Sequence, residues 1–155
     1  MRLIWFFWQI PQHLAALILF LFFKITNKPI KYNSDHLVLK QELKLPEFSY
    51  GFYDVPGFKS AVCLGEFIFI DTKFLIEPST NIPYITFLHE HGHRIQSRIL
   101  GPFYLLIVGI PSALRNLYSR YLFRKGVPVS LIKRWYYSQF PENWADKLMN
   151  IKREF

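Results

Sequence analysis

The chain has 155 residues, enough for one domain with a hydrophobic core, and it contains no internal repeat or low-complexity tail. Its apolar content of 51% and aromatic content of 19% are high for a soluble domain of this length. We therefore expect part of the apolar surface to meet lipid or a partner. The net charge is +8, and the single cysteine, Cys63, excludes an intrachain disulfide framework and fits a reducing compartment.

The N-terminus carries the longest apolar run. Residues 3–23 contain no charged side chain and lie between Arg2 and Lys24, and a run of this length can cross the hydrocarbon core of a bilayer as a helix. Because Gln9 and residues 11–13 interrupt it, the alternatives are an interfacial helix that dips into the membrane, a kinked span and a buried helix of a soluble domain. No small-x-small cleavage site follows, which argues against a signal peptide.

We assign residues 1–25 to a membrane-associating segment and residues 26–155 to a single domain. The charges around the apolar run indicate on which side of the membrane that domain lies. Three lysines follow the apolar run before the first acidic residue, Asp35, so the positive-inside rule predicts a membrane-associated protein whose main domain is cytoplasmic. Residues 112–134 carry six basic side chains and no acidic one, which suits an anionic lipid surface. Nucleic acid is a weaker alternative because no recognition motif occurs.

Two stretches with strand character follow. Residues 48–55 and 60–71 are separated by Pro56 and Gly57, a turn signal, and are rich in residues that favour strands. The second stretch ends in GEFIFID, which alternates in its polarity. We predict a β-hairpin in which these two stretches pair.

A helix is predicted after the strands. It begins at Ser79 or Asn81, because Pro83 suits a first helical turn, and it ends at about Leu100, because Gly101 and the proline after it stop a helix. The predicted helix contains the sequence HEHGH, which is the most informative feature of the chain.

The HEHGH sequence has the spacing of a metal-binding helix. His89 and His93 are four residues apart and share one face, with Glu90 beside them, and His-Glu-x-x-His is the first half of a zinc hydrolase site. Gly92 is unfavourable inside a helix, so we expect another chain segment or the substrate to approach closely there. His91 points to the other side, where we expect a packed or surface histidine.

The next segments are apolar or basic. Residues 103–110 are too short to span a membrane and are interpreted as a core segment, with an interfacial or re-entrant segment as the alternative. A helix is predicted from about Ser112 to Lys125, where Gly126 ends it.

A third metal ligand has to come from the few acidic residues near the C-terminus. No histidine follows His93, and Glu142 and Asp146 are four residues apart, so on a helix they share a face. Glu142 can then bind a metal while Asp146 accepts a hydrogen bond from a ligand histidine and orients it. The alternative is an amphipathic helix that begins at Pro141 and needs no metal.

HEHGH and ENWAD together resemble the HExGH and ExxAD motifs of gluzincin metallopeptidases, especially the membrane-embedded families that include prenyl-protein and heat-shock proteases. The resemblance implies one zinc ion held by His89, His93 and Glu142, with Glu90 as general base and Asp146 as the residue that orients a ligand. The segment that follows HEHGH, with its LGP turn and GIPS sequence, is also similar to small uncharacterised bacterial proteins that carry HE-x-GH.

The features together predict an α+β, mostly helical fold with an N-terminal apolar helix, a β-hairpin or small sheet, and a zinc helix packed against the Glu142 helix. The predicted function is that of a membrane-associated zinc metallopeptidase in which Glu90 activates water to attack a peptide or protein substrate. An edge strand before the zinc helix would suit an extended substrate, although an ordinary sheet strand explains it equally well. Tyr136 and Tyr137 could reach the site, although packing explains them more simply.

Two other functions fit the same residues. One is a non-catalytic membrane-anchored binding module with a structural or vestigial metal site. The other is a zinc hydrolase that acts on a non-peptide bond.

Overall fold

The computed structural model describes residues 2–26, 28–32, 51–56, 58, 60–71 and 82–153. The elements of this part of the chain are α1 (Arg2–Trp8), α2 (Ile10–Ile25), β1 (Lys31–Tyr32), β2 (Gly51–Asp54), β3 (Ala61–Leu64), β4 (Phe67–Ile70), α3 (Ile82–Leu100), α4 (Ile110–Arg124), α5 (Val129–Ser138) and α6 (Glu142–Leu148). A 3-10 turn (Gly101–Phe103) and a short π-helix (Leu105–Gly109) join α3 to α4. The predicted α+β, mostly helical fold is confirmed.

The four strands form one sheet in the order β1-β2-β4-β3. β2 pairs with β4 in parallel, whereas β3 pairs with β4 and β1 with β2 in antiparallel orientation. The predicted hairpin between residues 48–55 and 60–71 is wrong, because the second stretch forms a hairpin by itself. Gly65 makes that turn possible, since its φ of +66° is a left-handed conformation that side chains disfavour. Residues 48–50 lie outside the described residues.

Helix α2 covers one side of the sheet. Ala16 and Phe23 pack against Val55 and Phe69, and all four side chains are buried. The N-terminal apolar segment therefore contributes to the core of the domain. Among the described helices, none combines the length and the apolarity needed to cross a membrane.

A buried polar network joins the sheet to α3. Glu66, in the turn between β3 and β4, accepts hydrogen bonds from Arg98 at 2.6 and 2.8 Å and is paired with Arg94 at 3.1 Å. Gln9 donates to the same carboxylate at 3.1 Å and accepts a hydrogen bond from Ser97 at 2.7 Å. Because a buried carboxylate is unfavourable without partners, these bonds fix α3 against the turn and the start of α2.

The segment after α3 differs from the core segment expected there. Tyr104 and Val108 are buried, but Phe103 and Leu106 are 59% and 64% exposed. The segment therefore has one face inside the protein and one apolar face outside it. The helix predicted to follow is present as α4 and ends just before Gly126, where φ is +81°.

Candidate metal centre

The candidate centre lies between α3 and α6, which pack against each other as predicted. Helix α3 supplies His89 and His93 on one face, as the four-residue spacing requires. Helix α6 supplies Glu142 from its first turn and Asp146 one turn later. All four side chains are buried, and Glu142 is completely enclosed. The structure thus brings together the three ligands and the orienting carboxylate predicted from the sequence.

Gly92 sets how closely the two helices approach. A Cβ atom at this position would overlap the backbone of Ala145 in α6, lying 2.8 Å from its carbonyl carbon and 2.9 Å from its Cα. Real Cβ atoms essentially never come that near, so only glycine allows this spacing. The segment expected to approach Gly92 is therefore the helix that carries Glu142 and Asp146.

The three candidate ligand atoms form a nearly equilateral triangle. Glu142 Oε2 lies 2.9 Å from His89 Nε2 and 3.1 Å from His93 Nε2, and the two nitrogens are 3.2 Å apart. The remaining oxygen, Glu142 Oε1, is buried with no hydrogen-bond partner in the part of the chain that the structure describes. These three residues could therefore hold a metal ion.

The outer nitrogens of both imidazoles have partners that determine where the protons lie. His89 Nδ1 is 2.7 Å from Asp146 Oδ1, and a carboxylate oxygen only accepts. His93 Nδ1 is 2.8 Å from Gln96 Oε1, while the amide nitrogen of Gln96 donates to the Pro141 carbonyl at 3.0 Å. Since that carbonyl can only accept, the oxygen of Gln96 must face His93. Both Nδ1 atoms therefore carry hydrogen, and in the neutral form of each imidazole the Nε2 lone pair points at Glu142 Oε2.

Three electron-rich atoms that converge in a buried space require a positive charge between them. A proton is one solution. Burial alone would lower the pKa of His89, but its hydrogen bonds with Asp146 and Glu142 outweigh this and raise the pKa to about 9. Burial would likewise raise the pKa of Glu142, but hydrogen bonds with His89 and His93 hold that pKa well below its usual range. A metal ion is the other solution, because it replaces the proton at the same point.

Glu90 is enclosed beside the ligands rather than among them. Burial raises the pKa of its carboxyl group, and the nearby charges of His93 and His89 only partly oppose this. The backbone N–H of Cys63 in β3 donates a hydrogen bond to Glu90. The Cys63 carbonyl accepts one from the Tyr104 hydroxyl at 3.4 Å. The outer edge of β3 is therefore occupied at Cys63, and an extended substrate cannot pair with that residue.

An arginine near the C-terminus supports Asp146 from the far side. Arg153 donates to both carboxylate oxygens, at 2.6 and 2.9 Å, and lies 3.4 Å above the ring of Tyr137. The Tyr137 ring in turn packs edge-on against His89, with ring centres 5.2 Å apart. Burial raises the pKa of Tyr137 to about 12. Tyr137 therefore packs the ligand histidine in place.

Sequence reasoning missed two residues that position the centre. Gln96 lies three residues after His93 and so on the same helical face, and that spacing was the available signal. No local pattern in the sequence indicated Arg153. It lies beyond the end of α6, and the chain has to turn there before Arg153 can contact Asp146. His91, expected to pack elsewhere, is buried with its ring centre 5.9 Å from that of Phe87.

Comparison with known proteins identifies no relative, because no family model, no curated protein and no solved structure matches this chain.

Proposed function

We propose that this chain is a zinc-dependent hydrolase that cleaves peptide bonds, with Glu90 as its general base. The observation that carries the proposal is the convergence of His89 Nε2, His93 Nε2 and Glu142 Oε2 on one point, with the carboxyl group of Glu90 beside them. Three protein ligands that leave one position for water are the pattern of a catalytic zinc site.

The donor set supports zinc in particular. Two imidazole nitrogens and one carboxylate oxygen are the ligands that zinc accepts in hydrolases. In a four-coordinate zinc site with bonds of about 2.0 to 2.1 Å, neighbouring ligand atoms lie about 3.3 Å apart. The separations of 2.9, 3.1 and 3.2 Å in this centre come close to that value without any helix moving. One zinc ion per chain is expected.

The reaction assigns a separate task to each residue. A zinc ion at this centre would supply Lewis acidity, which makes water acidic near neutral pH and polarises an amide carbonyl. Glu90 would accept a proton from that water and pass it to the leaving nitrogen, and a raised pKa suits a group that must accept the proton and hold it until the nitrogen takes it. Asp146 and Gln96 keep the Nε2 lone pairs of the two histidines directed at the centre.

The choice of a peptide substrate rests on the resemblance of HEHGH and ENWAD to the gluzincin motifs. The same three ligands and base would also hydrolyse other amide or ester bonds, because the centre determines the type of reaction and the surrounding pocket determines the substrate.

A non-catalytic module with a structural metal is the second candidate. The burial of all three ligands favours it, since structural metal sites are closed. The hydrogen bond from the Cys63 backbone also gives Glu90 a structural role that needs no reaction.

Metal analysis of purified protein tests whether the chain binds zinc, which both proposed functions require. We expect about one equivalent of zinc in the wild type, and loss of that zinc in Glu142→Ala because two ligands remain. Asn143→Ala, at the next position of α6, is the matched control and should keep its zinc. Full zinc retention in Glu142→Ala would contradict the metal centre itself.

Comparison of Glu90→Gln with the wild type separates the two candidates. A quenched fluorescent peptide library is the probe. A hydrolase should lose its activity by at least about a hundredfold in Glu90→Gln while its zinc content and its circular dichroism spectrum stay unchanged. Equal hydrolysis by both proteins would refute the role of Glu90. Zinc binding by both with hydrolysis by neither would favour the structural metal site.

A further inference from the structure

Helix α2 buries polar side chains beside the apolar Ala16 and Phe23, and it exposes a row of apolar side chains. Its buried side includes Gln12 and His13, and Gln9 immediately before it is also enclosed. The apolar side chains that point outward are between 48% and 79% exposed, namely Leu14, Leu17, Ile18, Leu21, Phe22 and Ile25. A helix at a water boundary directs such side chains to the core. The outward face of α2 is therefore suited to apolar surroundings.

A second apolar stripe runs along the segment that connects α3 to α4 and along α4 itself. Its members are between 51% and 64% exposed, namely Phe103, Leu106, Ile110, Leu114, Leu117 and Tyr121. They recur every three or four residues, so they lie along one side of the helical segment. Helix α4 contains no buried residue.

The segments that carry the two apolar surfaces meet where the α1–α2 junction contacts the end of α3. The indole nitrogen of Trp8 donates to the Arg98 carbonyl at 3.1 Å, and the Trp8 ring occupies the space beside Gly101 that a Cβ atom would need. Gln12 donates to the Gly101 carbonyl. Because Phe103 begins the second stripe two residues later, this contact fixes the start of the stripe next to α2.

The charge of the segments that carry α2 and the second stripe indicates what kind of surface they would bind. Residues 2–32 and 101–141 contain no acidic residue, and both include several lysines and arginines. Lys24 at the end of α2 and Arg120, Arg124 and Lys125 near the end of α4 are exposed. A second copy of the chain would bring two surfaces of the same charge together, which is unfavourable. An anionic lipid surface offers both hydrocarbon and the complementary charge.

We propose that α2 and the stripe from Phe103 to Tyr121 form one surface that seats this protein on an anionic bilayer. Ala16 and Phe23 hold α2 against the sheet, so the helix lies along the domain with only its outer face in the lipid. The basic side chains at the helix ends reach the phosphate groups while their alkyl stems remain in apolar surroundings.

The seating places the candidate centre close to the lipid. Tyr104, on the inner side of the second stripe, reaches Cys63, whose backbone contacts Glu90. The Tyr104 side chain and the backbone of Cys63 therefore link the stripe to Glu90. If the proposed hydrolase function holds, on which this step rests, the substrates are peptide segments at the membrane surface.

Vesicle flotation of the full chain, in the presence of a chelator, tests the seating independently of metal and activity. The wild type should float with vesicles of phosphatidylcholine and phosphatidylglycerol and bind more weakly to phosphatidylcholine alone. Ile18→Asp on α2 and Leu114→Asp on the second stripe should each weaken binding at least about tenfold. Val129→Asp is the matched control, since Val129 is 48% exposed but lies at the start of α5, outside both α2 and the stripe from Phe103 to Tyr121, and it should bind as the wild type does.

Three results would overturn the proposal. The first is equal flotation of the wild type and both aspartate variants, and the second is an equal loss in Val129→Asp. The third is a dimer in solution that Ile18→Asp dissociates while vesicle binding stays unchanged, which would place a second copy on α2. Circular dichroism shows whether Ile18→Asp or Leu114→Asp is unfolded. If one of them is, the proposal is judged from vesicle binding by the folded variant and from the lipid dependence of the wild type.

Discussion

At the scale of single residues, Gln96 has a larger role than its chemistry suggests. It accepts a hydrogen bond from His93 and donates one to the carbonyl of Pro141, the residue before Glu142. One neutral side chain thus positions two of the three candidate ligands. We expect Gln96→Leu to lower zinc affinity by about tenfold to a hundredfold, because His93 loses the acceptor that fixes its tautomer. Competition with a fluorescent chelator measures this affinity.

Two further variants show whether the effect is specific. Gln96→Glu keeps an acceptor for His93 and should retain more affinity than Gln96→Leu. Ser97→Ala removes a buried hydrogen bond to Gln9 from the same helix and should leave the affinity unchanged. Wild-type affinity in Gln96→Leu would show that His93 needs no orienting partner.

Spacing was sufficient to predict the three candidate ligands and Asp146, but not Gln96 and Arg153. His89 and His93 are paired by their separation along a helix, and Glu142 followed because few acidic residues remain downstream. Gln96 is a common residue at an ordinary spacing. Only the direction of its amide, which depends on the position of Pro141 in space, gives it a function.

At the scale of elements, the contact between α3 and α6 at Gly92 determines whether the centre can assemble. In Gly92→Ala the new methyl group would overlap the backbone of Ala145, so α6 has to move away together with Glu142 and Asp146. We expect zinc affinity to fall at least about tenfold. Stability should fall by about 1 to 3 kcal/mol from overpacking, partly offset by the better helix propensity of alanine. Zinc titration and urea unfolding measure the two effects.

Gly109→Ala is the control for this prediction. A Cβ atom there would meet the flexible end of the Leu105 side chain at 3.3 Å, which can adjust, so zinc affinity should not change. If Gly92→Ala binds zinc as tightly as Gly109→Ala, the close approach of the two helices is not needed for the centre.

The strand pairing shows why some elements were beyond prediction from sequence. Pro56 and Gly57 gave a strong local turn signal, and local signals favour pairing between adjacent stretches. The parallel pairing of β2 with β4 depends on contacts that α2 makes with the whole sheet. The apolar segment from Phe103 to Gly109 is a similar case, since hydrophobicity does not distinguish a core face from an outward one.

At the scale of the whole molecule, the stabilising effect of zinc on the folded state should depend on pH. The folded-state pKa of His89, about 9, lies above its ordinary value of 6.5. In a chelator, the stability this proton contributes is fully present below pH 6.5 and is lost as pH rises through 9. Zinc competes with the same proton, so its stabilising effect should grow over that range. The rise in Tm on adding zinc should be several degrees larger at about pH 9 than at about pH 6.

Thermal unfolding followed by circular dichroism, with and without zinc, measures this difference. Glu142→Ala lacks one ligand and should show a small zinc effect at every pH. A zinc effect that stays constant or shrinks as pH rises would mean that metal and proton do not share one position.

The bidentate contact between Arg153 and Asp146 has a consequence for how protons move through the molecule. Burial alone would raise the pKa of Asp146, but the hydrogen bonds from His89 and Arg153 lower it, so this carboxylate stays ionised. Glu142 is held ionised by its two histidines. Glu90 alone among the three has a pKa shifted upward. Of these three carboxyl groups Glu90 is therefore the one that takes up a proton most easily, and in the proposed reaction it would be the carboxylate that carries the proton.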